Sequence, residues 1–120
     1  MVIKLSEPIY NSTLTVFYNI SKEDGKKAIE KLTKKRLHFE EDWDGVFHSE
    51  GNNGYIWIGS FDNNVEDIGL LSHELMHFTF NVLGWAGIEA TPESDEAYTY
   101  FFQYYQVKLL KKMLRLKDED

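Results

Sequence analysis

The stretch Ser72-His73-Glu74-Leu75-Met76-His77 sets two histidines four residues apart and puts a glutamate directly after the first. On a helix, four residues advance about 6 Å along the axis, so imidazoles at that spacing converge on one point at zinc-ligand distances of about 2.1 Å. Glu74 lies one residue round from His73. From there its carboxylate can reach a water at the metal without itself being a ligand, as a general base requires. The chain contains no cysteine, which excludes thiolate nucleophiles, disulfides and cysteine-ligated zinc. Any metal site must therefore be built from histidine and carboxylate.

The segment that carries these residues reads as a helix from about Val65 to Leu83, with Asn and Asp caps in "DNNVEDIG" and Gly84 at its end. With His73 set at zero and about 100° per residue, Ile68, Leu71, Leu75, Phe78 and Val82 fall between about 140° and 220°. His77 falls at about 40°. The apolar stripe thus lies opposite the histidines, which share their face with Glu66 and Asn81 and are not core residues of this helix.

The elements that must position this helix follow from period and turn chemistry. Residues 13–20, "TLTVFYNI", alternate as a half-buried strand. Ser21 caps a following helix through "KEDGKKAIEKLTKKRL", with Asp24 three positions on and Ala28, Ile29 and Leu32 as its apolar stripe. Val46 to Glu50 and Tyr55 to Phe61 read as a hairpin joined by "GNNG", with Asn53-Gly54 expected to take the positive φ angles of the turn. After the loop "GWAGIEATPE", Thr91-Pro92 marks the approach to a long last helix, about Ser94 to Lys117. No internal repeat, low-complexity segment or linker interrupts this order of strand, helix, hairpin, helix and long helix. A chain of 120 residues, 42% of them hydrophobic, fits one compact domain spanning 1–120. The expected class is α+β, a short antiparallel or mixed sheet packed on the histidine helix and the long C-terminal helix.

"HELMH" is an instance of H-E-x-x-H and resembles the signature of the zincin metallopeptidases. Zincins take a third protein ligand from farther along the chain, and no histidine follows His77, so the resemblance is to the gluzincin arrangement with a carboxylate in that place. Glu89, Glu93, Asp95 and Glu96 are the candidates. The local "E-A-Y-T-Y-F" resembles the Glu-Ala start of the third-ligand helix in ImmA/IrrE-like peptidases and in small prophage-encoded metallopeptidases, which selects Glu96. The 18 residues between His77 and Glu96 suffice for a helix end, a loop and a new helix.

The resemblance implies a minimal zincin-like domain in which His73, His77 and Glu96 hold Zn2+ and Glu74 takes a proton from the attacking water. It also implies that "YIWIG" lines the cleft and pairs with extended substrate, with Gly59 or Gly54 permitting close approach. Tyr100, about 40° from Glu96 on a helical wheel, is better placed than Tyr98 to donate to the oxyanion. The implied activity is zinc-dependent peptide-bond hydrolysis of a peptide or protein substrate. A zincin-like metal-binding structural or interaction protein, for instance a phage-associated one, is the alternative.

A net charge of −7 argues against a nucleic-acid partner, which would need a surplus of Lys and Arg. The basic runs at Lys22–Arg36 and Lys108–Lys117 read as solvated helix faces, and His38 and His48 as ordinary partly exposed histidines. No apolar run of about 20 residues or of signal-peptide type is present, so no membrane partner is expected and the expected location is cytoplasmic.

Overall fold

The computed structural model describes residues 1–114. Its elements in chain order are β1 (Val2–Glu7), β2 (Ser12–Tyr18), α1 (Lys22–Thr33), β3 (Gly45–Glu50), β4 (Asn53–Ile58), α2 (Val65–Trp85), a 3-10 turn (Pro92–Ser94) and α3 (Asp95–Met113). The four strands form one mixed sheet in the order β1-β2-β4-β3. β2 and β4 run parallel, with Val16 opposite Ile56, while β1–β2 and β3–β4 are antiparallel. The α+β architecture agrees with the expectation from the sequence.

Strand alternation sorts the core into two layers. Leu14, Val16, Tyr18, Ile56 and Ile58 pack against Leu71, Leu75, Phe78 and Val82 of α2 and Phe101, Tyr105 and Leu109 of α3. Phe17, Val46 and Trp57 face the other way and pack against Ile29 of α1. The helices therefore cover both faces of the sheet, α1 alone on one and α2 with α3 on the other.

Local chemistry sets the helix limits. Ser21 accepts a hydrogen bond from Asp24 N at 3.1 Å, and Asn64 accepts one from Asp67 N at 2.8 Å, each satisfying an otherwise unpaired first-turn donor. α2 does not stop at Gly84 as expected but runs on to Trp85. The stop is supplied by Gly87, at φ 78°, in a Schellman motif: Gly87 N donates to Gly84 O and Ile88 N to Leu83 O, both at 3.0 Å. The last helix begins after Pro92–Ser94, and its expected end at 115–117 lies outside the described residues.

Three features of the sheet differ from the sequence reading. β1 was not expected, because Lys4 and Ser6 break an apolar run and the inward position at its end is filled by Glu7. In the hairpin the positive φ, 59°, belongs to Gly51, and Asn53-Gly54 already lies in β4, paired with Glu50 and Ser49. β4, with its "YIWI", is an interior strand between β2 and β3, so the free edge near α2 belongs to β3. Gly54 serves packing and not substrate approach. A Cβ there would lie 2.4 Å from Phe78 Cδ1, so the missing side chain is what lets the Phe78 ring seat on the sheet.

Candidate metal centre

The face of α2 opposite its core stripe carries His73 and His77, both exposed as their wheel positions require. Their ring centroids are 4.9 Å apart with planes at 85°. Phe47 of β3 lies alongside His77 with ring centroids 6.2 Å apart and planes at 16°. Neither imidazole is hydrogen bonded to another described residue, so a ring nitrogen on each is available.

Glu74 is different. Only 6% of it is exposed, yet among the described residues its carboxylate takes no hydrogen bond and no ion pair. Burial pushes its pKa above the usual carboxylate value, and the neighbouring His73 and His77 pull in the opposite direction. One ligand atom from each of His73, Glu74 and His77 can be chosen so that all lie within 4.8 Å of one another. Two nitrogen donors and an unsatisfied carboxylate at that separation fit a divalent cation, so these three residues can hold a metal ion.

The group opens on a cavity of about 710 Å³ between α2 and the start of β3. Asp42, Trp43, Asp44, Gly45 and Phe47 line its far side. Gly45 stands where a Cβ would come within 3.1 Å of Glu74 Oε2, so the chain entering β3 passes directly over the carboxylate. A second groove, lined by Ser72, Met76, Phe80 and Phe102, shares His73 and His77 from the α3 side.

Glu96 and Tyr100 lie elsewhere. Both line a different cavity, about 530 Å³, with Glu7, Pro8, Ile9 and Tyr10 of the β1–β2 connection, and Glu96 is not a member of the His73–Glu74–His77 group. The cause is the rotation of α3 about its axis. Gln106 Nε2 donates to Ser72 Oγ at 2.9 Å, Tyr98 packs on Phe80 at 5.2 Å, and Phe102 borders the groove beside the histidines. On the same helix Glu96 is about 120° and Tyr100 about 160° round from Phe102. Asp95, one of the carboxylates the sequence left open, is about 20° from Phe102, and it borders a groove with Met76 and Phe80. Tyr98, not Tyr100, is the tyrosine on the α2 side, and its hydroxyl donates to Ile88 O at 2.6 Å.

His48 sits on the face of β3 opposite Phe47, beside Tyr55 and 3.7 Å from Glu50, away from the cavity. Asp42, Trp43, Asp44 and Phe47 are the lining residues that sequence reasoning missed. Strand alternation alone, placing Gly45 and Phe47 on one face, was the available signal. Neither a family model nor a curated protein nor a solved structure matches this chain.

Proposed function

We propose that the protein is a zinc-dependent peptidase of zincin-like design, in which His73 and His77 hold the ion and Glu74 is the general base. The observation that carries this reading is Glu74 itself: a buried carboxylate with no protein partner, beside two outward imidazoles at the cavity they share. Its oxygens are not sealed in the core but open onto the cavity, where a ligand can reach them and no protein donor competes. Imidazole nitrogens favour zinc over the hard cations magnesium and calcium. When bound, zinc supplies a Lewis acid that activates a water and polarises a carbonyl.

The remaining steps belong to the chain. Glu74, beside the histidines on the shared cavity, takes a proton from the attacking water and delivers it to the leaving amine. The free edge of β3, next to the cavity, offers backbone groups to an extended peptide. The groove of Met76, Phe80 and Phe102 beside the histidines fits an apolar side chain of that peptide.

Peptide libraries digested with wild type and Glu74→Gln at equal zinc occupancy test the reading. Glu74→Gln keeps size and shape but cannot accept a proton at neutral pH, so cleavage is expected to fall by about 10²–10⁴. Cleavage undiminished in the variant refutes the mechanism. One observation favours a second reading, a metal-binding structural or interaction protein without proteolysis: no carboxylate of α3 joins the histidines. Under that reading wild type cleaves nothing and Glu74→Gln is without consequence for activity.

A further inference from the structure

We infer that the carboxylate completing the metal site comes from the Asp42–Asp44 turn leading into β3, and not from α3. The inference rests on the metal-binding reading above and concerns which residue closes the same site. Asp42 and Asp44 line the cavity that His73, Glu74 and His77 line from the other side. The residue after Asp44 is a glycine on which a Cβ would lie 3.1 Å from Glu74 Oε2, so the turn enters β3 beside the base.

The turn is held there by groups outside the site. Asp44 O accepts from Gly59 N at 3.1 Å, tying the turn to the end of β4. Lys22 Nζ donates to Glu40 O and Glu41 O, each at 2.6 Å, and Trp43 N donates to Glu40 O at 3.2 Å. The anchoring therefore falls on the backbone and leaves the two carboxylates uncommitted. Both are exposed, and neither makes a hydrogen bond or ion pair with a described residue. Glu7, Glu30 and Glu50 are engaged, with Ser12, Leu37 N and Lys35 respectively, whereas Asp95 and Glu96 of α3 are as uncommitted as Asp42 and Asp44, so what singles out the turn is its place on the cavity that the histidines line.

The chemistry of the donor set asks for such a group. Two neutral imidazoles leave a divalent cation's charge uncompensated, and a site that keeps Glu74 as base needs another anionic oxygen. Glu74 is the one nearly buried carboxylate on this cavity, and it faces the cavity with no protein partner, so the space beside the turn is left open to a ligand. The aspartate oxygens are not in the group within 4.8 Å, and coordination requires a change of side-chain rotamer. Rotation between staggered wells redirects an unanchored aspartate with no change of backbone.

The test compares zinc affinity, by competition with a chromophoric chelator, and cobalt(II) absorption spectra. The proteins are wild type, Asp42→Asn/Asp44→Asn, Asp95→Asn, Glu96→Gln and His77→Ala, each checked for fold by circular dichroism. Expected is at least a tenfold loss of zinc affinity and altered cobalt bands in the double variant, with Asp95→Asn and Glu96→Gln within twofold of wild type. The loss must persist in 1 M salt, where the screening length is about 3 Å and attraction without contact is suppressed. A loss that vanishes there, a double variant with wild-type affinity, or a loss in Asp95→Asn or Glu96→Gln instead overturns the inference while leaving the histidine site standing. If wild type binds zinc no better than His77→Ala, the metal reading itself fails and this inference falls with it.

Discussion

Glu7 and Glu74 are two glutamates buried to nearly the same degree, 5% and 6% exposed, with opposite surroundings. Glu7, at the end of β1, accepts from Ile9 N at 2.8 Å, Tyr10 N at 2.9 Å and Ser12 Oγ at 2.9 Å. Ser12 Oγ in turn meets Tyr105 OH at 2.8 Å, so the carboxylate closes a turn and links it to α3. Glu74 has no such partners and faces a cavity with two histidines. Equal burial therefore does not mean equal surroundings: the lone pairs of Glu7 are used by the fold, and those of Glu74 stay open to a ligand.

The largest effect that can break this contrast is catalytic, the loss of about 10²–10⁴ in cleavage expected for Glu74→Gln at unchanged zinc occupancy. Glu7 should behave in reverse. Glu7→Ala removes the acceptor of three donors and is expected to cost about 3 kcal/mol in urea unfolding, with zinc affinity unchanged once the protein is folded. If Glu7→Ala is as stable as wild type, the turn network contributes nothing and the contrast loses one side.

A smaller effect follows from the proton affinity of Glu74 in metal-free protein. Its folded pKa is raised, so the folded state binds more protons than the unfolded state above the ordinary value of 4.5. Stability is then lost as pH rises from about 4.5 through the folded pKa, and the penalty is full above it. In chelator, Glu74→Gln is expected to flatten that part of the pH profile and to be more stable than wild type at neutral pH. A variant less stable than wild type would mean that Glu74 has a structural partner. Smallest of the series is Tyr105→Phe, expected to cost about 1 kcal/mol because Ser12 keeps Glu7 as partner when the phenol is lost. Melting curves for Tyr105→Phe that match wild type would cut α3 out of the Glu7 network.

How much of this was legible in the sequence depended on whether the deciding forces were local. α2 was readable because its cap Asn64, its stripe of Leu71, Leu75, Phe78 and Val82, and its polar histidine face all lie within one segment. The hairpin was readable for the same reason. Which of its strands lies inside the sheet was not, because that is decided by the parallel pairing of β4 with β2 across a crossover containing α1 and β3. The rotation of α3 was equally hidden. Apolar residues occur on nearly every side of that helix, and only its partners Phe78 and Ser72 select Phe101, Tyr105 and Gln106 as the inward set. One residue of rotation is about 100°, so Glu96 and Tyr100 could not be aimed from sequence. Likewise Asp42 and Asp44 reach the cavity only because β3 is the edge strand over α2.

Whether His73, Glu74 and His77 hold a metal is read from the metal content of the folded protein. Wild type and His73→Ala/His77→Ala, purified without affinity tags and dialysed against micromolar zinc, should be assayed by elemental analysis with melting temperature read in parallel. Expected are one zinc per wild-type chain, none in the double variant, and a melting temperature that zinc raises only in wild type, since an ion bound to the native state alone adds its binding free energy to stability. Wild type that retains no zinc above the level of the double variant, with a melting temperature indifferent to the ion, would contradict a metal centre at these residues.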